Sequence, residues 1–215
     1  MKREEIDALV NKYAVMENLT FPGHFQHRYD VVSSKILYSL IREYKPHTYL
    51  EFGTSWGGSA LVALKALVRN ETPYEFVGFE LEDELNRETL RNITHWFTTG
   101  EARNIHFELW GDITKYSHKI PKEIDFAFID PNWDKNIAIW TFENIIPRVK
   151  KGGIVHIHDW SVTSDLKYEG GGFPGIFYFI ELFKEGKIPL EKIFNVWDEE
   201  EYKNMSIASS FWKKT

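Results

Sequence analysis

The 215-residue chain contains no cysteine. Disulfides and thiolate metal sites are therefore excluded, and any metal would be held by carboxylates, histidines, carbonyls or water. Such ligands favour a hard divalent cation. Positive charge is in short supply, with 26 Lys and Arg against 32 Asp and Glu and a formal net charge of -6. This balance argues against broad binding to a phosphate backbone, so nucleic acid is a disfavoured partner. No apolar run approaches membrane-spanning length. The start, Met1-Lys2-Arg3-Glu4-Glu5-Ile6-Asp7, has acids where a signal peptide needs an apolar core. The chain reads as a soluble cytoplasmic protein. Repeats and low-complexity tracts are missing too, and the longest glycine cluster is Gly170-Gly171-Gly172. Nothing marks a domain boundary, and a 43% hydrophobic chain of this length suits one domain over residues 1–215.

What is present is alternation. Ile6, Leu9, Val10 and Tyr13 predict a short amphipathic helix, and Val31, Val32, Ile36, Leu37, Leu40 and Ile41 a longer one. Phe21-Pro22-Gly23-His24 between them reads as a turn, so residues 1–46 form a helical extension or cap. Over residues 47–160, β-rich runs at 48–52, 76–80, 105–110, 126–130 and 154–158 alternate with helical stretches at 59–68, 82–97 and 137–146. Connections of this length suit right-handed crossovers between parallel strands. Beyond Asp159, residues 161–215 hold a glycine-rich loop, an apolar helix at 173–183 and strand-like runs at 192–197 and 206–212. The last two predict an antiparallel hairpin at the sheet edge, with Asp198 to Glu201 as its solvated turn. The expected class is α/β: a Rossmann-like, doubly wound, seven-stranded, mostly parallel sheet with an antiparallel C-terminal hairpin.

In an open parallel sheet, ligands bind beyond the carboxyl ends of the strands. Those ends are acidic here: Glu51, Glu80, Asp112 after Gly111, Asp130 and Asp159. A dinucleotide or nucleoside triphosphate would bring several negative charges into that rim. S-adenosylmethionine brings an ammonium, a sulfonium and a ribose diol, and no phosphate, so the charge balance favours it. The Gly53 to Ser59 loop supports that choice. It lacks the Gly-x-Gly-x-x-Gly spacing of dinucleotide binders, and Ser59 stands where a P-loop needs lysine.

Leu50-Glu51-Phe52-Gly53-Thr54-Ser55-Trp56-Gly57-Gly58-Ser59 resembles motif I of class I S-adenosylmethionine-dependent methyltransferases, in the variant of small-molecule O-methyltransferases. Phe79-Glu80, Gly111-Asp112-Ile113, Ile129-Asp130 and the run Lys151 to Asp159 are similar to the family's later motifs. The resemblance covers roughly residues 47–160 and is specific as a set. It implies that Gly53, Thr54, Ser55, Gly57 and Ser59 wrap the amino-acid end of the cofactor. Glu51 would lie near the ammonium, directly or through water. Glu80 would take the ribose hydroxyls and Asp112, beside Gly111, the adenine amino group, with Asp130 also among the cofactor residues. Phe52 stands where a smaller aliphatic is usual, its side chain directed to the core.

Methyl transfer to a hydroxyl needs a lone pair in line with the sulfonium methyl and a way to remove a proton. Two arrangements are open. In one, Asp130 and Asp159 chelate a Mg²⁺-type ion that lowers the hydroxyl pKa, a pairing similar to metal-dependent catechol-type and sugar O-methyltransferases. Their third ligand follows the second acid, and here that residue is Trp160, which cannot coordinate. In the other, a histidine oriented by a carboxylate acts as general base, with His158 first and His24 or His27 next. His156, inside the strand, is expected to pack. His24, Trp133 and Trp160 are candidate substrate contacts on loops.

Two further readings compete. Asp130-Pro131-Asn132-Trp133 resembles the Asp-Pro-Pro-Trp tetrapeptide of amino-methyltransferases, with Asn132 in place of proline. A non-catalytic adenosine-ligand scaffold is the other. An oxidoreductase is disfavoured, because no Tyr-x-x-x-Lys pair follows the fifth strand. Tyr168 to Pro174 is a candidate lid. The acceptor is a small molecule such as a sugar, phenol or natural product, and the sequence leaves the oligomeric state open, a homodimer included.

Overall fold

A computed structural model of the chain describes residues 1–15, 31–98, 107–158, 174–196 and 209–215. The chain divides into two compact units, Met1–Pro121 and Lys122–Thr215.

In the first unit, α1 (Arg3–Tyr13) and α2 (Val31–Tyr44) precede β1 (Thr48–Phe52), α3 (Gly58–Arg69), β2 (Glu75–Phe79), α4 (Asp83–Thr98) and β3 (Phe107–Trp110). The strands are parallel in the order β3-β2-β1, with Phe52 opposite Phe79 and Phe79 opposite Trp110. Their last residues therefore lie level, which brings the loops after them to one edge. Phe76, Val77 and Phe79 of β2 are all buried, as expected of a strand covered on both faces. The Tyr49 and Phe76 rings stack at 5.1 Å across the β1–β2 pair. Phe52 is buried, as its core-directed expectation required. The alanine, leucine and valine of α3 form a helix buried from Ser59 to Leu64, which anchors the loop that begins it.

The second unit holds β4 (Ile124–Ile129), α5 (Lys135–Asn144), β5 (Val149–His158), α6 (Pro174–Lys184), β6 (Leu190–Asn195) and β7 (Ser209–Lys214). Asp134 caps α5, accepting from the backbone N–H groups of Asn136 and Ile137 at 2.8 and 3.0 Å, as N-cap chemistry demands. The strand order is β4-β5-β7-β6, with β4 and β5 parallel and β7 antiparallel to both its neighbours. The expected C-terminal hairpin is present, its second strand lying inside and its first at the edge. His156 packs, as anticipated, between Phe128 at 4.6 Å and Phe211 at 4.1 Å. The seven-stranded, mostly parallel Rossmann-like class is the one observed.

Boundaries moved by a few residues. β5 begins at Val149, ahead of the expected Ile154. The predicted helix end at Ile146 is a separate tight turn, Ile146–Arg148, with Pro147 inside it, because proline cannot donate to a continuing helix. Among the described residues no helix is long and apolar enough to cross a membrane.

Candidate functional site

The first unit carries the loop between β1 and α3. Gly53, Ser55 and Gly57 take φ values of 89, 46 and 85°. Glycine enters this left-handed region freely. For Ser55 it costs about 1–2 kcal/mol, so contacts from outside the loop must hold it there. Its N–H donates to Glu80 Oε2 at 2.6 Å, and its carbonyl accepts the Thr89 hydroxyl at 2.5 Å. The start of the loop is tied to β2, where the N–H groups of Gly53 and Thr54 donate to the Phe79 carbonyl at 2.8 and 3.2 Å. Gly78 permits that approach, since a Cβ there would stand 2.8 Å from Thr54 Cγ2. Thr54 is buried, and its hydroxyl has no hydrogen-bond partner among the described residues. Buried hydroxyls of this kind are rare in proteins and are commonly met by water or a ligand.

The acids occupy three different situations. Glu51 is fully buried and accepts from the Ser59 hydroxyl at 2.6 Å and the Tyr49 hydroxyl at 3.4 Å. Glu80 is half-buried; besides Ser55 it accepts the Glu82 N–H on Oε1 at 3.2 Å. Asp112 follows β3, and its Oδ1 accepts the Thr114 hydroxyl at 2.7 Å and the Thr114 N–H at 2.9 Å. The Thr114 hydroxyl does most to hold the Asp112 carboxyl below its ordinary range; its N–H and the Lys115 ammonium, 3.5 Å from Oδ2, add to this against partial desolvation. Beside Gly111, the Trp110 ring lies 5.5 Å from that of Tyr116 and under the Lys119 ammonium at 4.1 Å.

In the second unit Ile129 on β4 is the register partner of Ile157 on β5. Asp130 and His158 come next on their chains, and His158 Nδ1 lies 3.3 Å from Asp130 Oδ1. Both side chains remain partly open, Asp130 at 27% and His158 at 15% exposure. Trp133, expected on the substrate wall, is instead buried, its ring edge-to-face with Phe179 at 6.0 Å. Its carbonyl accepts the Gly175 N–H at 2.8 Å, which binds the segment to α6. With the ring covered, no indole face is free to stack on a base. His24, His27, Asp159, Trp160, the turn at 21–24 and most of the 168–174 segment lie outside the described residues. Among the described residues no three His, Asp or Glu side chains gather as a metal site.

The methyltransferase domain family matches residues 50–160, more than half of the 215-residue chain. The chain belongs to that family. No curated protein matches this methyltransferase by sequence. Solved structures share its fold. The O-methyltransferase TomG of Streptomyces achromogenes, involved in tomaymycin synthesis and in complex with SAM, aligns with a TM-score of 0.65 at 15% identity, covering 100% of this chain and 91% of that one. The O-methyltransferase of Bacillus cereus in complex with SAH gives 0.65 at 16% identity, over 100% and 92% of the two chains. The SAH-bound methyltransferase PaMTH1 of Podospora anserina gives 0.65 at 13% identity, over 100% and 89%.

Three residues of this methyltransferase that engage the loop and the strand ends belong to no motif: Asn86, Thr89 and Asn92 on α4. Their signal was present as polar residues at threefold spacing on a helix, but spacing alone does not say what such a face meets.

Proposed function

We propose that this methyltransferase uses S-adenosylmethionine to methylate a hydroxyl of a small molecule, such as a sugar, phenol or natural product. His158 acts as general base and Asp130 orients it. The observation that carries the reading is the 3.3 Å approach of His158 Nδ1 to Asp130 Oδ1 at the ends of neighbouring strands. With Nδ1 on the carboxylate side of the ring, Nε2 is the atom assigned to take the acceptor proton, and the carboxylate, 3.3 Å from Nδ1, stabilises the imidazolium that results.

The donor side fits the residues present. Glu80 keeps lone pairs beyond its two backbone contacts for a ribose diol, and the orphaned Thr54 hydroxyl lies in the loop that would wrap the amino-acid end. Glu51 is covered by protein and linked to Ser59; it would favour the ammonium by its negative charge from beneath the loop. Asp112 would meet the adenine amino group through the oxygen that Thr114 does not occupy. When bound, the donor supplies an electrophilic methyl on sulfur. The Streptomyces and Bacillus neighbours are O-methyltransferases in complex with SAM and SAH, which supports the same choice. A single catalytic domain and a cytoplasmic location complete the reading.

Calorimetry with S-adenosylmethionine, S-adenosylhomocysteine and NAD tests the donor: the first two should bind and NAD should not, and binding of NAD alone would overturn the proposal. Methyl transfer to a panel of phenols, sugars and amines then tests the chemistry. Hydroxyl products insensitive to EDTA are expected. Activity that vanishes with EDTA and returns with Mg²⁺ would replace the histidine base with a metal on Asp130 and Asp159. Products on amines alone would favour the Asp130 to Trp133 reading.

A further inference from the structure

Asn86, Thr89 and Asn92 recur at every third position of α4 and so share one face of the helix. Each donates to a main-chain carbonyl of another segment. Asn86 Nδ2 reaches the Glu80 carbonyl at 3.2 Å and the Trp110 carbonyl at 3.1 Å, bridging the ends of β2 and β3. Thr89 Oγ1 reaches the Ser55 carbonyl at 2.5 Å, and Asn92 Nδ2 the Trp56 carbonyl at 3.4 Å. Asparagine and threonine are indifferent helix formers, and Thr89 is fully buried, so helix propensity does not account for this face.

We infer that this face of α4 is a positioning element that holds the cofactor loop in its ligand-ready shape, with Thr89 as its central residue. The inference rests on the S-adenosylmethionine reading of the loop. Ser55 sits at φ 46°, a conformation its side chain disfavours. Glu80 holds its N–H and Thr89 its carbonyl, so both sides of the strained residue are gripped from outside the loop. Glu80 thereby has two duties, loop anchor and ribose acceptor. Asn86 fixes the strand end that carries Glu80 against the strand end that leads to Gly111 and Asp112. Loop shape and donor site are set by one network, and the Thr89 hydroxyl acts on the donor through Ser55.

Thr89 also packs: its Cγ2 lies 2.9 Å from where a Cβ on Gly57 would stand. Two substitutions separate the roles. Thr89→Val keeps that methyl group and loses the hydroxyl, whereas Thr89→Ser keeps the hydroxyl and loses the methyl. Titration of the full chain with S-adenosylhomocysteine should show about fivefold to tenfold weaker binding for Thr89→Val, the scale of one lost hydrogen bond, and near-native binding for Thr89→Ser. In turnover, Thr89→Val should raise KM for the methyl donor more than it lowers kcat. A packing role predicts the reverse order of the two variants, and that order would overturn the inference, as would native affinity in Thr89→Val. Amide exchange over residues 53–57 without ligand gives an independent reading. Faster exchange in Thr89→Val but not in Thr89→Ser supports the positioning role even if the wild type binds no S-adenosylhomocysteine, an outcome that would sink only the donor assignment. Unchanged exchange in both overturns it.

Discussion

Asp130 and His158 are neighbours across the parallel pair β4 and β5, one residue beyond the partners Ile129 and Ile157, and their side chains approach to 3.3 Å. Register produces this contact, because residues level on adjacent parallel strands point to the same face of the sheet. If His158 is the base, His158→Gln should lower kcat by about 10²- to 10⁴-fold, the range for a lost general base. Affinity for S-adenosylhomocysteine should stay within about twofold, since the imidazole serves the acceptor. Single-turnover methyl transfer and calorimetry on the same variant check both halves, and a large loss of donor affinity would move His158 out of the catalytic role.

Glu80 accepts two backbone N–H groups while keeping capacity for a ligand diol. Glu80→Gln must turn one amide hydrogen toward Ser55 or Glu82, and Glu80→Ala removes the loop anchor and the proposed ribose acceptor together. Charge-assisted hydrogen bonds contribute about 1.5–3 kcal/mol each. Binding of S-adenosylhomocysteine should therefore weaken by about tenfold or more in the first variant and further in the second, measured by calorimetry. Equal affinities for both variants and wild type would remove Glu80 from the donor site.

Gly57 and Gly186 share positive φ, 85 and 67°, but differ in surroundings. A Cβ on Gly57 would stand 2.9 Å from Thr89 Cγ2, whereas one on Gly186 meets nothing within 4 Å. Gly186→Ala should cost about 1 kcal/mol, the conformational term alone. Gly57→Ala adds overpacking and should cost about 1–3 kcal/mol more. Urea unfolding of the two variants measures the difference, and equal losses would show that the Thr89 contact relaxes without cost.

His156 is buried between Phe128 and Phe211, and desolvation, followed by the nearby His158, pushes its pKa well below the ordinary histidine range. At acid pH the unfolded chain binds a proton here that the folded chain refuses. Stability is therefore full above the unfolded value near 6.5 and falls as pH drops below it, by up to about 1.4 kcal/mol per pH unit from this group. His156→Phe keeps an aromatic ring in the stack and should flatten that part of the profile. Urea unfolding between pH 5 and pH 8 gives the slopes, and an unchanged slope in the variant would count against a buried neutral His156.

Much of the scaffold was legible because its signals are local. β1 runs from Thr48 to Phe52 as its β-rich run predicted, and α3 opens one residue before the expected Ser59. Both elements announce themselves through hydrophobic pattern and glycine punctuation within a few residues. The acidic strand ends were legible for the same reason, since Glu80 directly follows β2 and Asp112 follows β3 after Gly111 along the chain.

The sequence by itself determined an α/β fold, a glycine-turned loop unsuited to phosphate and a set of acids suited to a cationic donor. Only tertiary structure decided what each of those groups touches. It buried Glu51 under Ser59 and covered Trp133 with Phe179. It set Glu80 and Thr89 on either side of Ser55. The physical reason is distance along the chain. Ser55 meets Thr89 34 residues away, and His158 meets Asp130 only because two strands settle in one register. Periodicity tells which face of an element is apolar; pairing and packing between elements decide which polar groups touch.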